Sequence, residues 1–177
     1  MEIVEGELRR LRAGLGADSR GVRDFFVRVR FTADDAARVI GAARDVLASV
    51  IEQVGTWPEF ERWPELLPAW FVQRCEPETV PDPSFDAVAW QRWWHGLTSQ
   101  QKAAESEGPW MLSDWLSFFD PTEEGRGNDR SWWWWDSGVS EPGSGWVEVV
   151  TTGWPCETGS LAWLIEPSGG SDLSYGP

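Results

Sequence analysis

Two periodicities stand side by side near the start of the chain, and together they limit the fold more than any other feature. From Asp24 to Phe31 apolar residues alternate. Phe25, Val27, Val29 and Phe31 fall on one side of an extended chain, and Phe26, Arg28 and Arg30 on the other. That is the pattern of a half-buried strand. Directly after it, Ala36, Ile40, Ala43, Leu47, Val50, Ile51 and Val54 recur at helical spacing, a stripe that must face a core. Thr32 is the expected cap, with Asp35 as its capping-box acid. Gly55 and Pro58 end the helix. A strand feeding a helix that must cover one face of its sheet predicts an α+β fold.

The rest of the chain extends this unit. Residues 1–20 read as a flexible lead or short helix, with Leu8, Leu11 and Leu15 at helical spacing. Prolines at 58, 64, 68, 77, 81 and 83 break up the next stretch. Pro68 can open a short helix through Cys75. Ser84 is read as the cap of a helix through Trp90, Trp94 and Leu97 toward Lys102, and Trp110 to Phe119 as another helix. Residues 57–120 thus form a helical insertion. Ser131–Asp136 and Trp146–Thr152 read as two strands joined at the Pro142-Gly143 turn. Leu161 to Ile165 suggests a last short helix, and residues 171–177 a disordered tail. The expected domain therefore spans residues 21–170. Its order is strand, helix, insertion, strand, strand, helix, most of a split βαβ plait. A small antiparallel sheet of three or more strands is expected, with helices packed on one face.

Composition limits the partners. The 177 residues include 15 Trp, one Tyr and one His, with a formal net charge of −14. Residues 1–60 carry a net charge of −1 and residues 61–177 carry −13. Such a surface repels nucleic acid and anionic membranes and suits a basic protein partner. No apolar run approaches the roughly 20 residues of a membrane span. The acidic start Met1-Glu2-Ile3-Val4-Glu5 lacks the basic-then-apolar pattern of a secretion signal. A soluble, cytoplasmic chain is expected, with Cys75 and Cys156 as reduced thiols.

Neighbouring residues of a strand point to opposite faces, so two of Trp132, Trp133, Trp134 and Trp135 should enter the core and two should not. The face away from the helices would then gather Arg28, Arg30, two or three Trp including Trp146, and Glu148. Two arrangements follow. Either the insertion, with Trp90, Trp93, Trp94, Trp110 and Trp115, covers this face as a second core, or part of it stays open as an aromatic platform.

Signals of catalysis are sparse. His95 on a helix and Cys75 are the candidates for a base and a thiol nucleophile. Asp120, Thr122, Glu124 and Asn128, with Gly125, resemble the opening of an EF-hand calcium loop. Ser131 stands where that loop needs a bidentate Glu, so no metal or other cofactor is expected. Asp120, Glu123, Glu124, Asp129 and Asp136 also hold the residue types of a glycosidase acid–base pair. The leading expectation is a non-catalytic protein-binding protein, such as an inhibitor or immunity-type protein for a basic partner. Glu123, Glu124, Asp129, Asp136 and Glu141 would be its acidic rim, and a Trp from 132–135 its anchor. The alternatives are a hydrolase with a Trp-lined pocket and a structural or oligomeric subunit.

Overall fold

Period two becomes strand β1 (Phe25–Thr32) and period 3.6 becomes helix α2 (Ala36–Ile51). The computed structural model describes residues 2–14, 25–79, 84, 86–98, 101, 108–121, 130–151, 153, 156 and 158–176. Before β1 lies α1 (Glu2–Ala13). After α2 come α3 (Trp63–Leu66), α4 (Ala69–Val72), α5 (Ala87–Gly96) and α6 (Leu112–Ser117). Then follow β2 (Trp132–Glu141), β3 (Ser144–Thr151), α7 (Gly159–Ile165) and β4 (Ser171–Gly176).

The sheet order is β2-β3-β1-β4 and every neighbouring pair is antiparallel. Hence β1 and β2 run parallel with β3 between them, and β3 and β4 run parallel with β1 between them. These are two interleaved split β-α-β units, and β4 supplies the final strand that the sequence order lacked. Residues 171–176 are therefore an edge strand and not a disordered tail. Their polarity suits an edge: Leu173 alone packs against the core, while Val29 pairs with Tyr175 and Arg30 with Ser174.

Val27, Val29 and Phe31 of β1 share a face with Val149, Val147 and Gly145 of β3, as the register requires. This face is buried under α2, whose Val39, Ala43, Val46, Leu47 and Val50 are sealed from solvent, and under Leu161, Leu164 and Ile165 of α7. Asp35, not Thr32, caps α2: its carboxylate accepts from the Arg38 N–H at 3.0 Å, while Thr32 completes β1. The insertion adds Trp63, Phe71, Trp115 and Phe119 to the same core, so it thickens the helical side of the sheet.

Gly145 is required by a close approach. A Cβ there would stand 2.4 Å from Cζ of Phe31, its directly opposed partner. The ring lies across the space a side chain would fill. Gly145→Ala is expected to cost about 1–3 kcal/mol through overpacking, read as a lowered urea midpoint.

Of the two forms expected for the opening segment, the short helix is the one present over Glu2–Ala13: α1 closes the β2 edge of the sheet. Glu7 accepts from the Trp134 N–H at 2.7 Å, and Arg10 Nε donates to the Trp134 carbonyl at 3.2 Å. Arg130 Nε donates to the Trp132 carbonyl at 3.0 Å and its guanidinium pairs with Glu7. Side chains thus satisfy edge groups that would otherwise offer a template to another strand. Arg44 of α2 donates to the Leu11 and Arg10 carbonyls at 2.5 and 2.8 Å and so caps the end of α1, where a cation also suits the helix dipole.

Candidate recognition surfaces

The sheet register divides the four consecutive tryptophans. Trp132 and Trp134 sit opposite Thr151 and Val149 and enter the core. Trp133 sits opposite Val150 on the other face and is half-buried. Trp135 falls at the bulge between Trp134 and Asp136 and is buried against Phe26, ring to ring at 5.3 Å, with the Arg10 guanidinium 4.5 Å from its ring centre. Trp132, Trp134 and Trp135 are therefore removed from any list of surface anchors. Register with the buried Thr151 and Val149 on β3 turns the first two inward, and the bulge with Phe26 and Arg10 encloses the third.

The face away from the helices has the composition that alternation predicts. The Arg28 guanidinium lies 4.3 Å from the Trp146 ring centre and reaches Glu148 Oε2 at 2.6 Å through Nη2 and 3.2 Å through Nε. Gly138 leaves room for this stack, since a Cβ there would meet the Trp146 ring at 2.7 Å. Glu148 is buried, so its charge is spent on Arg28. Arg30 is exposed beside them, and Asp136 accepts from the Ser137 N–H at 2.8 Å. This surface is a neutralised Arg–Trp–Glu stack and not an acidic field.

A more accessible aromatic surface lies on α5. Asp86 opens that helix, accepting from the Val88 and Ala89 N–H groups at 3.0 and 2.9 Å. Trp90, Trp93 and Trp94 follow at positions i, i+3 and i+4, which share one helix face. Trp90 and Trp94 stack at 5.5 Å with 10° between planes, and Trp93 tilts against both at 6.4 and 6.2 Å. Trp90 is 44% exposed, Trp93 46% and Val88 60%. No described side chain of α5 belongs to the core, so these indoles do not cover the sheet as a second core. The spacing was visible in the sequence. Their exposure was not, because the same pattern serves equally to bury a helix.

The catalytic candidates stay apart. His95 is exposed in the last turn of α5 and no contact joins it to Cys75 among the described residues. Cys75 follows α4, half-buried, its Sγ donating to the Phe71 carbonyl at 3.5 Å. Burial pushes its thiol up to about 11, against an opposing contribution from the Trp163 indole. A thiol so placed stays protonated at neutral pH and is a poor nucleophile. Neither Cys75 nor Cys156 is in a disulfide. Thr122, Glu123, Glu124, Asn128 and Asp129 lie outside the described residues, while Asp120 is half-buried and Glu141 exposed. Among the described residues no group of three His, Cys, Asp or Glu is placed to hold a metal. Nor is any described helix long and apolar enough to cross a membrane.

No protein-family model, curated protein or solved structure matches the chain.

Proposed function

We propose that this chain is a non-catalytic recognition protein that binds a basic protein partner in the cytoplasm, anchored by the indoles of α5. The observation that carries this reading is the exposed pair Trp90 and Trp93, stacked with the half-buried Trp94 on one helix face. Large aromatic rings outside any core are costly in water, and Trp is the residue most enriched at energetic centres of interfaces. A short helix presenting i, i+3 and i+4 anchors suits insertion into an apolar groove. Charge supplies the partner's sign. Residues 61–177, which include α5, carry a net charge of −13, a field that speeds encounter with a cationic protein. An inhibitor that neutralises a basic partner is one form of this function.

The test is affinity capture from the source lysate, with the captured protein then purified and titrated. A basic protein is expected, its association rate falling steeply as salt rises. Trp90→Ala/Trp93→Ala should weaken binding by about 30-fold or more. It should leave the thermal midpoint nearly unchanged, because surface substitutions cost within about 0.5 kcal/mol. Capture that survives the double substitution would remove α5 as the anchor. A dimer that the same substitution converts to monomer, with no basic protein bound, would make α5 a self-association surface and overturn the reading.

A further inference from the structure

On another side of the molecule, a cleft of about 570 Å³ opens between α2, the end of α4 and the turn after α7. Gly41 and Ala42 line it on α2, and a Cβ added at Gly41 would meet nothing within 4 Å. Small residues at adjacent positions of one helix leave the room. Around this space stand Arg38, Asp45, Trp70 and Arg74. Arg38 and Asp45 are one helical turn either side of Gly41 and Ala42, while Trp70 and Arg74 are spaced i, i+4.

Three observations give the cleft a chemistry. First, neither the Arg38 nor the Arg74 guanidinium makes a hydrogen bond or ion pair with a described residue. By contrast, Arg12, Arg28, Arg62 and Arg130 each hold a carboxylate. Arg9, Arg30 and Arg92 likewise hold no carboxylate among the described residues; what sets Arg38 and Arg74 apart is that both line this cleft, where two guanidiniums are available to an anion. Second, Trp70 is 37% exposed, yet its ring stands edge-on to Phe71 at 5.7 Å and 84°, and Phe71 is sealed in the core. Phe71 thus steadies the indole, which lines the cleft while partly exposed. Third, Arg38 rests against the Gly169 backbone, where a Cβ would come within 3.2 Å of Nη2. That position sets one of the two cations beside the turn after α7.

We propose that this cleft binds a small aromatic anion, a planar ring stacked on Trp70 with one phosphate or carboxylate held by Arg38 and Arg74. Planar guanidiniums match both oxyanions through paired hydrogen bonds. The volume lies within the range of small-ligand pockets, roughly 300–1,000 Å³. Asp45 sets the limits. Its carboxylate accepts from a hydroxyl or amino group of the ligand, and its charge opposes a polyanion. A monophosphate therefore binds better than a triphosphate.

Calorimetric titration of the full chain separates the parts of this proposal. The probes are adenosine monophosphate, indole-3-acetate, inorganic phosphate, adenosine and adenosine triphosphate. One of the first two is expected to bind one-to-one, at least about tenfold more tightly than phosphate or adenosine alone. Which of them binds tells phosphate from carboxylate as the anion. The triphosphate is expected to bind more weakly than the monophosphate. Arg38→Ala and Arg74→Ala should each weaken the bound probe by about tenfold. Trp70→Ala should abolish its advantage over the anion alone. Gly41→Leu should block binding without loss of fold, since it fills open space and replaces glycine within a helix. Three results overturn the proposal: no saturable binding by either aromatic anion, equal binding of phosphate and monophosphate, or arginine variants that bind as the parent does. Trp90→Ala/Trp93→Ala should leave the titration unchanged, so this site and the α5 surface stand or fall separately.

Discussion

Arg130→Met is expected to destabilise the fold by about 3–5 kcal/mol, the usual cost of breaking a buried ion pair from one side. Arg130 and Glu7 are both sealed from solvent and joined across 123 positions of chain. Methionine keeps much of the arginine's apolar length. It leaves the Glu7 carboxylate without its counter-charge and the Trp132 carbonyl without its donor. Glu7 has little reserve, because its Oε2 already has no hydrogen-bond partner among the described residues. Burial raises the Glu7 pKa above its ordinary 4.5, with the Arg130 charge opposing. The unfolded chain therefore releases this proton at a lower pH than the folded chain does. Glu7's contribution is full below the unfolded value and is lost as pH rises through the raised folded value. Removing Arg130 lifts that folded value further. Urea unfolding should thus show a larger loss in Arg130→Met at pH 8 than at pH 5, and Glu7→Gln in the parent should flatten the pH dependence. A loss below about 1 kcal/mol at both pH values would mean that the carboxylate reaches water without Arg130.

Trp132→Ala is expected to cost a similar 3–5 kcal/mol, the range for truncating a large buried aromatic ring. The indole is fully buried between Phe118 and Phe119, with ring centres at 6.2 and 5.8 Å. Its Nε1–H donates to Ser160 Oγ at 3.0 Å, while the Ser160 carbonyl accepts from Trp115 Nε1 at 3.0 Å. One residue of α7 thus anchors two indoles, from β2 and from the insertion. Truncation opens a cavity and takes the donor from Ser160 together. For a chain of this size the loss corresponds to a fall of about 10 °C in thermal midpoint. Trp132→Phe keeps most of the ring and removes the N–H, at about 1–3 kcal/mol. Trp133→Ala, on the half-buried opposite face, should cost less than Trp132→Ala. Equal losses at 132 and 133 would contradict the inward and outward assignment of β2.

Much of the fold was legible because its elements carry their own periodicity. The alternation of residues 25–31 and the stripe of α2 needed no partner to be recognised, and Pro142-Gly143 marked the hairpin. Strand β4 was not legible. Its sequence, Ser171-Asp172-Leu173-Ser174-Tyr175-Gly176, is polar and becomes extended by pairing with β1, a contact between the two ends of the chain. Helix α1 was foreshadowed by the spacing of Leu8 and Leu11, but its docking was not legible, since Glu7 reads as solvent-facing until Arg130 is placed beside it. The parity of Trp132–Trp135 was undecidable because both alternating sets are tryptophan, and the register against Val149 and Thr151 decides it. The surfaces were harder still. The expected acidic rim falls partly outside the described residues, and Glu148 is consumed by Arg28. Arg38 and Arg74 line one cleft only because the fold brings the segment after α4 near α2, which spacing along the chain does not encode.

The opening helix also has a bearing on how this protein can be handled. A version shortened by its first thirteen residues would lose Leu11 from the core and leave buried Arg130 without Glu7. It would expose Trp134 and its neighbours as a bare hydrogen-bonding border with indoles on either side. Chains in that state would be expected to associate border to border, a pairing that the amino-terminal segment blocks by occupying the Trp134 edge.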